Sequence, residues 1–185
     1  MADGSTVQEI AQLKRGVRDV SFSADGSVIG ITEDFSGHAF YYRVGEATPF
    51  QSLKPTGYST PKLPMHRLLK DGKRVLGFGH MARSLSIWSL ETGELLQPIK
   101  ARSMYAAALT ADDTRVAAST WSRLDYESIS IHDLESGKQV DELAGYEKPV
   151  YDLCFSSDAR QLAAAPKGGT IVVWNLSERC RGVAR

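Results

Sequence analysis

Short runs in which apolar and polar residues alternate recur along the whole chain, separated by clusters of Asp, Gly, Ser and Thr. TIVVWNL at 170–176, LSIWSL at 85–90 and SISIHDL at 128–134 each carry a strand-length apolar core, then Trp or His, a polar residue and Leu. Trp88, His132 and Trp174 stand 44 and 42 positions apart, and a weaker copy, HAFYYRV, puts Tyr42 another 46 positions before Trp88. Alternation with period two predicts strands, and a recurring spacing of this size predicts a repeat architecture.

The turns repeat as well. SFSADGS, LLKDGKR, LTADDTR and FSSDARQ place Asp25, Asp71, Asp112 and Asp158 at steps of 46, 41 and 46, each between two apolar runs. Asp-Gly between alternating hydrophobics is a strong hairpin signal, because the favoured tight turn needs positive φ. Asp112-Asp113 and Asp158-Ala159 lack that glycine and are expected to form longer or differently shaped turns. A second turn family, LETGE at 90–94 and LESGK at 134–138, follows the Trp or His strand. Each unit therefore reads as four strands: one into the Asp turn, one out of it, one carrying Trp or its stand-in, and one after the Glu-x-Gly turn.

Four-stranded units of this length, with a third strand ending in W-[SN]-L or H-D-L, resemble the repeats of the WD40 β-propeller family, over essentially the whole chain. The resemblance implies an all-β, WD40-like propeller or propeller segment of about four blades of four antiparallel strands, with repeats at about 14–53, 62–99, 101–144 and 147–176. It also implies a non-catalytic scaffold for protein–protein interaction, a subunit or part of a larger assembly. The family usually has Gly-His ahead of the first strand and an Asp that ties His, Ser or Thr and Trp into a buried network. Here Gly37-His38 and Gly79-His80 follow the second strand, and only Asp34 stands where that Asp would. The repeats are degenerate, so stability is expected to rest on apolar packing between blades. Val20/Phe22, Ala107/Leu109 and Leu153/Phe155 alternate with Ser21, Ala108 and Cys154, as for sheets covered on both faces.

A shift of 133 positions lays Gly4 on Gly137, Val7 on Val140, Val17 on Val150, Phe22 on Phe155 and Asp25 on Asp158. Residues 6–13 are thereby expected to be the fourth strand that completes the last blade and covers its edge. Four blades stand at the low end of the propeller range. Three arrangements follow: four blades closing alone, a homodimer completing an eight-blade ring, or part of a longer protein or complex.

Composition narrows the partners. The 22 Lys and Arg balance the 22 Asp and Glu, so no net field draws the molecule to nucleic acid or anionic lipid. No apolar run is long enough to span a bilayer, and MADGSTVQEI lacks the pattern of a secretory leader. An intracellular, cytoplasmic location is expected. Cys154 and Cys180 form no CxxC and read as one buried and one surface thiol. No nucleophile elbow, Walker loop, HExxH or dinucleotide fingerprint occurs, so neither catalysis nor a cofactor nor a metal is expected. His38, His66, His80 and His132 lack paired spacing, and His132 replaces a blade Trp, which favours packing. The glycines of GFGH and PKGGT read as strand-to-strand turns. The competing class is the accessory propeller of a multidomain enzyme.

Recognition remains. The connection after the second strand is short elsewhere, but in the third unit it is TWSRLDYES, bringing Trp121, Arg123 and Tyr126. Exposed aromatic and Arg side chains are the usual anchors of interfaces; the competing reading folds Trp121 back onto its blade. Arg18, Tyr105 and Tyr151 occupy equivalent positions, two before Val20, Ala107 and Leu153. In WD40-like propellers these loops share a face, so the six residues are expected to form one aromatic and basic surface. The proline-rich stretch 52–64 and the tail with Arg179, Arg181 and Arg185 are further contact candidates.

Overall fold

The computed structural model describes residues 9–10, 13, 15–34, 36, 38–54, 64–79, 84–101, 104–120, 128–144 and 149–177. Among them the chain forms fifteen strands and no helix. The first sheet joins β1 (Val17–Phe22), β2 (Val28–Glu33), β3 (Ala39–Arg43) and β4 (Gln51–Leu53) in chain order. The second joins β5 (Pro64–Leu68), β6 (Arg74–Gly79), β7 (Ser84–Ser89) and β8 (Leu95–Lys100). The third joins β9 (Met104–Leu109), β10 (Arg115–Thr120), β11 (Ile129–Asp133) and β12 (Gln139–Leu143). The fourth holds β13 (Val150–Phe155), β14 (Gln161–Pro166) and β15 (Val172–Asn175). Every pairing is antiparallel, and the four sheets follow one another as four successive blades of a β-propeller. Of residues 6–13, Glu9, Ile10 and Leu13 are described and lie in no strand; the others fall outside the described residues.

One turn design serves all four blades. Asp25 Oδ1 accepts from the Ser23 hydroxyl at 2.6 Å and the Ser27 amide at 3.0 Å. Asp112 repeats this with Thr110 and Thr114, and Asp158 with Ser156 and Arg160. In the second blade Leu69 replaces the hydroxyl residue, and Asp71 takes the Lys73 and Arg74 amides and the Arg74 guanidinium instead. The residue after each Asp has positive φ: 71° at Gly26, 64° at Gly72, 55° at Asp113 and 56° at Ala159. The expectation of different turns where glycine is missing is thus corrected. The carboxylate bonds close the turn strongly enough to hold an ordinary residue in a conformation that costs it about 1 kcal/mol.

A second recurring bond ties the end of the third strand to that turn. Leu90 N donates to Lys73 O, Leu134 N to Thr114 O, Leu176 N to Arg160 O and Val44 N to Ser27 O, all at 2.7–2.9 Å. The three leucines are buried, which explains why Leu closes W-S-L, H-D-L and W-N-L.

Successive blades pack through their apolar faces. β1 and β2 lie against β5, β6 against β9, and β9 and β10 against β13. Leu85, Ile87 and Ile99 of the second blade meet Val116, Ala118 and Leu134 of the third; Ile129, Ile131 and Leu143 of the third meet Val150, Leu153 and Leu162 of the fourth. Polar links are few. Gln51 Nε2 donates to Leu90 O, Ser119 Oγ to Val150 O, and the Lys70 amide to Asp113 Oδ2. The ring nitrogens of His66 and Trp88 are buried without partners, and His132 Nε2 meets Ser130 Oγ at 3.0 Å. Among the described residues the cohesion is apolar.

Three further expectations are corrected. Val20 and Phe22 are exposed, because among the described residues no blade covers the outer face of β1. Cys154 is exposed as well, lining a cavity of about 340 Å³ between β5, β9 and β13 with Arg67, Ala108 and Asp152. Gly77 and Gly79 lie in β6 rather than in a turn. A Cβ on Gly77 would come within 3.0 Å of the His66 ring, which needs the room.

Candidate interaction face

The innermost strands of three blades break register at the same place. β1 pairs with β2 from Asp19↔Thr32 to Phe22↔Ile29, and the ladder slips between Val17 and Asp19, which puts Arg18 at a bulge. β13 repeats this against β14 between Val150 and Asp152, with Tyr151 at the bulge. In the third blade Ala118↔Ala107 is followed by Thr120↔Met104, so the irregularity includes Tyr105. Ser119 fills it: its hydroxyl accepts from the Ala106 amide at 2.9 Å and reaches the carbonyls of Ala106 and Val150. The β5–β6 ladder runs unbroken from Pro64↔Gly79 to Leu68↔Val75. Bulges re-aim side chains and are frequent beside functional surfaces. The three residues singled out from sequence therefore share one backbone irregularity, at the end of each sheet opposite the Asp turns.

Two backbone bonds join the loops at that end. Asp34 N, after β2, donates to Gly16 O, before β1, at 2.7 Å; Lys167 N, after β14, donates to Pro149 O, before β13, at 2.8 Å. The connections leaving second strands thus lie beside those entering first strands. Arg18 reaches Asp34 at 3.5 Å, with both side chains about a third exposed. A pair this open contributes little to stability and leaves the guanidinium open to competition from another carboxylate. Glu33 is buried beside it and accepts from Ser36 Oγ at 2.5 Å. Tyr151 is exposed. Trp121, Arg123 and Tyr126 come after β10 in the sequence and lie outside the described residues, as do most of 52–64 and Arg179, Arg181 and Arg185. The Tyr105 backbone is placed in β9.

Titratable groups elsewhere serve the fold. Burial pushes His66 down to about 4, so it is neutral at physiological pH. The Ser23 hydroxyl, then the Ser27 amide and hydroxyl, hold Asp25 at about 2; Thr110 and Thr114 do the same for Asp112. Among the described residues no group of three or more His, Cys, Asp or Glu is placed to hold a metal ion, and no helix is long and apolar enough to cross a membrane. The hydroxyls of Ser23, Thr110 and Ser156 were not singled out from the sequence, although the spacing S/T-x-D is legible in SADG, TADD and SSDA.

Comparison with known proteins agrees with this architecture. Residues 137–175 match the family model of the WD domain, G-beta repeat. The chain is 24% identical over 168 residues to apoptotic protease-activating factor 1 of Rattus norvegicus, covering 89% of this chain and 12% of that protein. It is 29% identical over 96 residues to WD repeat-containing protein 36 of Homo sapiens, covering 52% of this chain and 10% of that protein. The similarity thus spans about a tenth of the length of either relative. The matched repeat runs from the Gly137 turn of the third blade to the end of β15, and the same Asp turns and third-strand ends recur in the other blades. The chain is similar to WD40-repeat proteins, with one repeat matched by the family model.

Proposed function

We propose that this protein is a non-catalytic, intracellular interaction scaffold, a subunit of a larger assembly that grips a protein partner with the bulged end of its blades. The observation that carries this reading is the shared bulge at Arg18, Tyr105 and Tyr151. A propeller that needed only to fold could keep the regular ladder of its second blade. Tyr151 and Arg18 would supply the aromatic and bidentate contacts that dominate interface energies, with Trp121, Arg123 and Tyr126 on the neighbouring loop. Neutral overall charge favours a protein partner over nucleic acid. Residues 6–13 would add the fourth strand of the fourth blade, and deleting them should then lower stability sharply.

The test is affinity capture with the wild type and with a Trp121→Ala/Tyr151→Ala variant. Each truncation should weaken the captured partner by about 2 kcal/mol, roughly thirtyfold, at an unchanged melting temperature. Equal capture by both proteins would refute the face. A collapse of stability on Trp121→Ala, on the order of 3–5 kcal/mol, would make Trp121 a packing residue instead.

A further inference from the structure

The two outward faces of the array carry apolar residues at the same positions as its interior interfaces. In the third blade Ile129 and Ile131 are 0% and 2% exposed against β13 and β14. Their equivalents in the second blade, Leu85 and Ile87, are 0% and 1% exposed against the third. The same two positions of the fourth blade, Ile171 and Val173, are 73% and 56% exposed. At the other end Val17 and Val20 are 55% and 58% exposed, whereas Val150 and Leu153, which occupy those positions in the fourth blade, are 0% and 6% exposed beneath the third. Contiguous apolar surface of this kind marks an interface.

The interface between the third and fourth blades specifies what fits each face. Ile129 and Ile131 form one cluster with Val150 and Leu153. By equivalence, Ile171 and Val173 call for a Val17/Val20 face, and Val17 and Val20 call for an Ile171/Val173 face. The chain carries both halves, at opposite ends.

We propose that a second copy of this chain covers both faces, two molecules joining head to tail so that the fourth blade of each packs on the first blade of the other. Two identical heterologous contacts related by a two-fold axis close on themselves, and the product is an eight-bladed ring, within the range that propellers adopt. It deepens the reading of the chain as an assembly subunit. Each contact would reproduce the packing between the third and fourth blades.

Light scattering on the purified chain tests this, because the ring weighs twice the 20.2 kDa monomer. Val20→Lys and Val173→Glu each place a charge in both contacts and should each give a folded monomer, a twofold drop in mass. Mixing the two variants should restore a dimer containing one of each. One of its contacts is then wild type, and the other sets the introduced lysine against the introduced glutamate. Both positions are exposed in the single chain, and circular dichroism checks that the variants fold. A monomeric wild type, an open polymer, a variant that stays dimeric, or a mixture that fails to pair would overturn the ring. Partner capture by the Val20→Lys monomer separates the two readings, since the bulged end does not depend on the ring.

Discussion

The second and third blades fill one slot with different pairs of residues. In the second, His66 of β5 stands opposite Gly77 of β6; in the third, the same rungs hold Ala107 and Ala118. The fourth blade puts Leu153 opposite Ala164. A large side chain on one strand is accommodated by a small one on its neighbour in the second and fourth blades, and the third keeps two small ones. Close packing means that each blade shapes its surroundings to its own pair, so that a change in one member is felt by the other. The second blade differs in consequence as well as in shape. Its imidazole is buried with neither ring nitrogen partnered, next to the unpartnered indole nitrogen of Trp88, whereas the third blade's His132 meets Ser130.

Acid should act on that difference most strongly. His66 titrates at about 4 in the folded protein against 6.5 when exposed. Below pH 6.5 the unfolded chain takes up the proton first, so stability falls as pH drops from 6.5 toward 4 and stops falling below it. The full loss is on the order of 3 kcal/mol. Denaturant midpoints across that range measure it, and His66→Leu should flatten the curve; an equally steep curve in the variant would place the sensitivity elsewhere. The turn carboxylates Asp25 and Asp112 act in a separate window, their contribution present above pH 3.8 and lost as pH falls toward 2.

Gly77→Ala tests the His66–Gly77 pairing directly. The added methyl meets the His66 ring at 3.0 Å, and overpacking of this sort costs about 1–3 kcal/mol. Adding His66→Ala recreates the Ala/Ala pair of the third blade and should recover much of the loss. Additive single effects in a double-mutant cycle would show that the two rungs do not share the slot.

The turns offer smaller effects. Ala159→Gly relieves positive φ without removing a side-chain contact and should raise stability by about 1 kcal/mol. Asp113→Gly, which gives the third blade the glycine that Gly72 supplies to the second, relieves the same strain but removes the acceptor of the Lys70 amide between those blades. The two changes should nearly cancel, and a gain equal to that of Ala159→Gly would show that the inter-blade bond contributes nothing.

Much of this was legible in the sequence, because strands and turns are set locally: alternation placed the strands, and Asp25, Asp71, Asp112 and Asp158 marked the hairpins. The exposure of Val20, Phe22 and Cys154 was not legible, since burial depends on whether a neighbouring blade is present, and the local pattern is the same either way. Gly77 looked like a turn residue because its reason is a partner eleven positions away on another strand. At the bulged end, equivalent positions led to Arg18, Tyr105 and Tyr151, but the bulge they share is a property of pairing, invisible along one strand.

The bond from Leu90, Leu134 or Leu176 back to the Asp turn closes each blade at one end of its strands, and the bulged loops leave from the other. Variation is therefore inexpensive at the end proposed for recognition: a connection there can lengthen or change composition without touching the lock that holds its blade. A repeat built this way can diversify its surface one blade at a time, while every copy keeps the same fastening at the far end.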